Sequence, residues 1–139
     1  MSEKIGVFIV LVNQKNQVLL GKRKKSYKSG FFGCPGGRLH LTESLEDCAR
    51  RELMEETGLK AKKLAYVGVV REIQEGYTFV HFVFRCDEYD GKPVMMEPNK
   101  CEGWEFYEVD RLPLEILPGH RAGIAMMNYV ESLGYVDLM

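Results

Sequence analysis

The chain has no marked excess of either charge: 19 basic side chains stand against 20 acidic ones, for a net charge of −1. A general nucleic-acid or membrane-surface binder needs a basic surplus, so neither kind of partner is expected. Long apolar runs are absent as well, and nothing approaches the roughly 20 residues of a membrane-spanning helix. Met1-Ser2-Glu3-Lys4 runs directly into a short apolar segment with no cleavage site, so no secretory leader is expected. The four cysteines (Cys34, Cys48, Cys86, Cys101) show no C-x-x-C spacing, and the three histidines (His40, His81, His120) stand apart. Scattered thiols of this kind argue against a disulfide framework or a zinc site and for a reduced, cytoplasmic protein. Repeats, linkers and low-complexity tracts are missing too, so the 139 residues are expected to form one domain over 1–139.

What is present alternates between strand and helix patterns. Residues 5–12, "IGVFIVLV", are β-branched and short, as a buried strand requires. A polar turn at Asn13-Gln14-Lys15-Asn16 leads into a second strand, "QVLLGKR", ending near Arg23. Residues 24–37 read as loop, and a helix is expected over about 44–57. Two long strands follow at 61–74 and 77–89, joined by a turn at Glu75-Gly76, then a loop at 90–100 and a strand at 103–109. Pro118-Gly119 opens a last helix, in which Ala122, Met126, Tyr129, Val130 and Leu133 make an apolar stripe ended by Gly134. Strands with two separated helices point to an α/β chain whose mixed sheet is sandwiched by helices.

The first helix carries the chemistry. Thr42 or Ser44 can serve as N-cap, Ser44-x-x-Asp47 resembles a capping box, and Gly58 suits the left-handed position after the last turn. At 100° per residue, Leu45, Cys48, Ala49 and Leu53 form the inward face, while Glu46, Asp47, Arg50 and Thr57 fall toward solvent. Glu52 and Glu56 land within the inward arc, with Glu55 on its edge. Like charges at this spacing repel, and more so when desolvated. Arg51 beside them is expected to neutralise one carboxylate at most. A hard divalent cation such as Mg²⁺ or Mn²⁺, shared with substrate phosphates, would supply the missing charge; a solvated acidic face is the plain alternative. Upstream, Pro35-Gly36-Gly37 lets backbone approach a ligand closely. Lys22, Arg23, Lys24, Lys25 and Lys28 form a charge run that is either a solvated strand end or a clamp for anionic oxygens.

Gly37, Glu43, then Arg51-Glu52-Leu53-x-Glu55-Glu56-x-Gly58-Leu59 resembles the complete box of the Nudix hydrolase superfamily, with all nine defining positions met over residues 37–59. A chance match in one window is on the order of 10⁻¹⁰ at average residue usage. "LLGKR", "PGG" and "CEGWEFYEVDRLP" also resemble the family, so the likeness spans about residues 5 to 115. It implies a Nudix-type α/β/α sandwich with a mixed central sheet, and cleavage of a nucleoside diphosphate linked to another group X by metal-activated water. By the same resemblance Glu52, Glu55 and Glu56, with the Gly37 carbonyl, hold Mg²⁺ or Mn²⁺. Arg51 orients the glutamates and Glu43 pairs with it. Arg23 contacts phosphate, and Phe32 is a candidate to stack on the base, as are Phe31, Tyr27 and Trp104. Glu52 is the first choice of general base; Glu97 and Glu102, in the loop before the last strand, compete for that role or for a further ligand position.

A compact chain of this kind resembles the MutT-like branch, which converts nucleoside triphosphates to monophosphate and pyrophosphate. Nucleotide sugars or other nucleoside diphosphate derivatives are the alternative substrates, although GDP-mannose hydrolysing relatives depart from the box at glutamates kept here. A non-catalytic nucleotide-binding module is the third reading, against which the intact glutamates argue. Some members acting on oxidised purines carry asparagine where Gly33 stands, so a direct copy of their pocket is not expected. The resemblance also implies a homodimer.

Overall fold

The computed structural model describes residues 2–24, 29–74, 76–128 and 134–138. Lys25, Tyr27, Lys28, Glu75, Tyr129, Val130 and Leu133, each part of an expectation above, lie outside the described residues. Among the described residues, eight strands occur in the order β1 (Ser2–Leu11), β2 (Gln17–Arg23), β3 (Phe32–Gly33), β4 (Gly36–Arg38), β5 (Lys60–Gln74), β6 (Tyr77–Asp90), β7 (Cys101–Glu108) and β8 (Tyr135–Leu138). Helix α1 (Leu45–Thr57) lies between β4 and β5, and α2 (Pro118–Asn128) precedes β8. The stretch 24–37, expected as loop, contains β3 and the start of β4, both too short to show a periodicity. The last strand was not expected at all: "YVDL" pairs in parallel with β5, from Val69↔Tyr135 to Glu72↔Leu138.

The strands form two sheets. A mixed five-stranded sheet runs β4-β1-β6-β5-β8, and a three-stranded antiparallel sheet runs β3-β2-β7. β1 pairs in parallel with β6 along its whole length, Ser2↔Tyr77 to Leu11↔Cys86, and antiparallel with β4 through Gly6↔Arg38 to Phe8↔Gly36. Because successive strand residues face opposite ways, the apolar run of β1 feeds two cores. Val7, Ile9 and Leu11 pack with Cys48, Ala49 and Leu53 of α1, while Phe8, Val10 and Val12 pack with Ile124 and Met126 of α2. The two helices therefore cover opposite faces of the mixed sheet, which explains why β1 is apolar at successive positions from Val7 to Leu11 rather than at alternate ones. Each fully buried Val, Ile, Leu or Phe contributes about 1.5–3 kcal/mol.

Local chemistry sets the ends of α1. Ser44 is the N-cap, its hydroxyl accepting from the Asp47 N–H at 3.0 Å, and Gly58 sits at φ 74°, where its N–H reaches the Met54 carbonyl. Thr57 corrects the helical-wheel expectation: it is buried, not solvent-facing. Its hydroxyl donates to the Leu53 carbonyl at 2.6 Å and accepts from the Leu59 N–H at 3.2 Å, so a polar side chain is satisfied locally where the chain turns into β5. Among the described residues no helix is long and apolar enough to cross a membrane.

Candidate active site

α1 presents its glutamates to a cleft of about 530 Å³ that also receives the β4 glycines, the end of β2 and part of the 91–100 segment. Glu52, Glu55, Glu56, Gly37, Arg23 and Glu97 all line it. The helical-wheel gradient holds, with the Glu52 side chain 13% exposed and Glu55 50%. Glu56 is held deeper, its Oε1 accepting the Gly36 N–H at 2.6 Å. Gly37 is required for space: a Cβ there would fall on the Glu52 carboxyl group.

Arg51 reaches further than the sequence suggested. Its Nε and Nη2 donate to the two oxygens of Glu43 at 2.9 and 2.7 Å, and Nη1 donates to Glu52 at 2.7 Å and to Glu55 at 3.2 Å. Nη2 also donates to the Arg38 carbonyl at 3.0 Å. One guanidinium thus serves three carboxylates rather than one, because its fork projects donors in several directions. The hydrogen bonds from Arg51 hold the Glu43 carboxyl down at about 2, and those partners raise Arg51 in turn.

Glu56 lies beyond that reach. Burial pushes its carboxyl up to about 8, with the charges of Glu52 and Glu97 adding to the rise, while the Gly36 N–H and Arg23 oppose it. Burial raises Glu52 as well, against the pull of Arg51. Two desolvated carboxylates and a third nearby, beside a glycine turn, make an oxygen-only donor set that suits a hard divalent cation. Among the described residues, no three His, Cys, Asp or Glu side chains already converge at metal-ligand spacing. Arg51 engages oxygens of Glu52 and Glu55, and the Gly36 N–H engages one of Glu56.

The two loop glutamates part company. Val94 and Met96 N–H groups donate to the carbonyls of Thr57 and Glu56 at 2.9 and 3.4 Å, and the Trp104 indole N–H donates to the Glu56 carbonyl at 3.0 Å. These bonds use orphan carbonyls of the last helical turn to strap the 94–97 stretch against α1, which brings Glu97 into the cleft. Glu102 instead faces outward, half exposed and 3.7 Å from Lys22.

Of the basic run, Arg23 enters the cleft, and its charge is felt by Glu56 on one side and by His81 and His120 on the other. Lys24 is spent on the Pro98 carbonyl at 2.9 Å. Phe32 does not line the cleft: it packs against the second core, its ring edge-on to Tyr107 at 5.8 Å. Trp104 does line it, and so do Lys4, Glu72, Phe79, His81 and His120, which the sequence reading missed. Only the strand register shows that they share one face. All four cysteines are free thiols, and burial raises each of them, so none is an activated nucleophile.

The sequence matches the NUDIX domain family over residues 3–127, and the chain belongs to that family. It is 34% identical over 108 residues to the oxidized purine nucleoside triphosphate hydrolase of Danio rerio, covering 76% of this chain and 67% of that one. It is 32% identical over 117 residues to the NAD-capped RNA hydrolase NudC of Pseudomonas syringae pv. tomato, spanning 39% of that longer protein. The fold superposes on the crystal structure of a MutT NUDIX hydrolase from Burkholderia pseudomallei with a TM-score of 0.86 at 26% identity, covering 91% and 98% of the two chains.

Proposed function

We propose that this chain, acting as one Nudix unit over residues 1–139, hydrolyses a phosphoanhydride bond in a nucleoside diphosphate linked to a further group. The first substrates to expect are (d)NTPs, cleaved to (d)NMP and pyrophosphate in the manner of a nucleotide-pool sanitising enzyme. The observation that carries this reading is the pair of half-buried, desolvated carboxylates, Glu52 and Glu56, beside the Gly36-Gly37 turn, with Arg23 lining the same cleft.

Glu52, Glu55 and Glu56, with the Gly37 carbonyl, would hold Mg²⁺ or Mn²⁺. Such an ion supplies positive charge to the non-bridging phosphate oxygens and acidifies the attacking water. The protein's own contribution is positioning and a dry, preorganised field. Arg51 fixes the Glu52 and Glu55 side chains, and Glu43 fixes Arg51. A Glu52 carboxylate oxygen takes the proton of the attacking water, with Glu97 as the competing base. Arg23 neutralises phosphate charge on the side away from the glutamates. The free thiols fit action in the cytoplasm, and a homodimer is the proposed assembly.

Pyrophosphate release with Mg²⁺, measured over normal and oxidised dNTPs, NTPs, nucleotide sugars and dinucleoside polyphosphates, tests the reading. Cleavage of at least one nucleoside triphosphate is expected, with losses on the order of 100-fold in Glu56→Gln and Glu55→Gln. Full turnover by either variant removes that residue from the mechanism. Cleavage confined to the sugars or dinucleotides moves the activity to the alternative substrates.

A further inference from the structure

Arg51 aims two of the three glutamates proposed as ligands, and Glu56, in the last turn of α1, lies beyond it. Last turns fray, because their carbonyls have no partner inside the helix. The Glu56 side chain is tied to the Gly36 N–H, so its aim depends on how firmly its own backbone is kept. That backbone is held from outside the helix. The Thr57 carbonyl receives the Val94 N–H at 2.9 Å, and the Glu56 carbonyl receives the Met96 N–H at 3.4 Å. A shorter bond to the Glu56 carbonyl, at 3.0 Å, comes from the indole N–H of Trp104. Met96 belongs to the irregular connection before β7, whereas Trp104 stands within β7, so the indole is the anchor that is fixed in a strand.

Two features of the three-stranded sheet bring the ring to the helix. Gly21 and Trp104 are register partners, and a Cβ at Gly21 would strike ring carbons of Trp104 at 2.8 Å. The missing side chain is what lets the indole lie against β2. Beyond that pair the register shifts: the next partners are Arg23 and Cys101, so Glu102 and Gly103 together oppose Lys22 alone. This is a β-bulge, and Gly103, at φ 152°, takes up the bend. Regular alternation would send Cys101 and Trp104, three residues apart, to opposite faces. The bulge puts both over Gly21, where the same Cβ would strike the Cys101 Sγ at 2.6 Å. Arg23, Cys101 and Trp104 therefore share the wall of the cleft, and the indole ties the strand of Arg23 to the turn of Glu56. The ring also packs against the core beneath α1, which keeps it in place.

Resting on the reading of the cleft as a metal-dependent hydrolase site, we propose that Trp104 is a positioning residue for Glu56, acting through the main chain. The indole N–H fixes the Glu56 carbonyl, and the fixed carbonyl sets the direction in which the Glu56 side chain leaves the helix. Arg51 does the corresponding work for Glu52 and Glu55 through their side chains, so two independent devices aim the three carboxylates. The indole spends its donor on a neutral carbonyl, so the Glu56 carboxylate keeps its charge for a divalent cation. Loss of that donor leaves the carbonyl to the longer Met96 bond and lets the last turn fray. Ion affinity then falls while the folded core stays intact.

Trp104 is the sole tryptophan of the chain, so 3-benzothienylalanine can be placed at this site alone, keeping the ring's shape with sulfur where the N–H stood. Wild type, this isostere and Trp104→Phe are compared, with denaturant unfolding to confirm that each is folded. Calorimetry measures Mn²⁺ binding without nucleotide, kinetics over a Mg²⁺ titration give kcat and KM, and amide exchange along α1 is followed without metal. Both variants are expected to bind Mn²⁺ about tenfold or more weakly and to need correspondingly more Mg²⁺ for half-maximal kcat. The nucleotide KM at saturating Mg²⁺ moves far less. Exchange quickens over residues 53–57 and not in the first turns of α1. A role in packing alone would leave the isostere like wild type. Wild-type Mn²⁺ affinity in the isostere, while wild type binds the ion, therefore overturns the proposal even if Trp104→Phe is impaired. If wild type binds the ion but cleaves no triphosphate, the hydrolase reading fails and the affinity comparison still decides the role of Trp104. If wild type binds no ion, that reading fails too, and exchange decides: unchanged rates in the isostere overturn the anchoring of Glu56, and faster rates uphold it.

Discussion

Arg51 joins Glu43, Glu52 and Glu55 through one guanidinium, so the charge balance of α1 depends on how that side chain is oriented. Glu43 supplies most of the orientation, because it engages two of the three donor nitrogens and is itself fixed by accepting the His40 N–H at 2.8 Å. Removing it leaves the Glu52 carboxylate less well aimed without touching any proposed ligand. Glu43→Gln is therefore expected to lower kcat and weaken metal activation by roughly 10–100-fold, the range for partners that orient metal ligands. Steady-state kinetics over a Mg²⁺ titration measures both. A variant with wild-type metal dependence would show that Arg51 holds its place unaided. Arg51→Lys cannot substitute, since a single ammonium lacks the planar fork.

At the scale of the element, α1 is built so that its last turn does two jobs. The carbonyls of Glu56 and Thr57 receive the 94–97 stretch and Trp104, while Thr57 seals the turn from inside. Thr57→Val keeps the shape and removes the hydroxyl, leaving the buried Leu59 N–H without its acceptor. The expected cost is about 1–3 kcal/mol. Denaturant unfolding should show it as a lower midpoint at unchanged slope. Activity should fall far less than stability, since no proposed ligand moves. A loss of turnover larger than the loss of folded protein would mean that the last turn also positions Glu97.

Over the whole molecule, the two cores meet at β1, and the face carrying Phe8 buries His120 and half-buries His81. Burial is the first cause that lowers His120 well below its usual range and His81 to about 4. His81 also faces Arg23, and His120 faces both His81 and Arg23, charges that push the same way. Protons therefore bind the unfolded chain more readily than the folded one. The stability gained from keeping these rings neutral is complete above about pH 6.5, the unfolded value, and is lost as pH falls toward 4. Glu56 acts oppositely, because a raised carboxyl loses stability as pH rises toward about 8, so a comparison between variants is needed. His120→Asn keeps an acceptor for the Cys34 N–H but removes one titration. Denaturant unfolding between pH 4 and 7 should give a shallower decline in that variant than in wild type. Parallel curves would show that His120 does not titrate on unfolding.

The sequence by itself determined the short-range chemistry. Ser44 and Gly58 marked the ends of α1, 3.6-residue periodicity turned Glu52 and Glu56 inward, and the box from Gly37 to Leu59 named the family. Each of these needs only neighbours within a few residues. Where a long-range partner decides the outcome, tertiary structure had to supply the answer. Thr57 sits on the polar arc of the wheel, yet the turn into β5 buries it. Phe32 reads as a free aromatic until Tyr107 and the second core claim it. Glu97 and Glu102 are indistinguishable as letters, and only the strap from Val94 and Met96 to α1 sends one into the cleft and the other to Lys22. β8 is too short to announce itself and exists because β5 offers it an edge. Glu72, Phe79 and His81 come together through a strand register, and a register is a property of paired strands that no single segment contains.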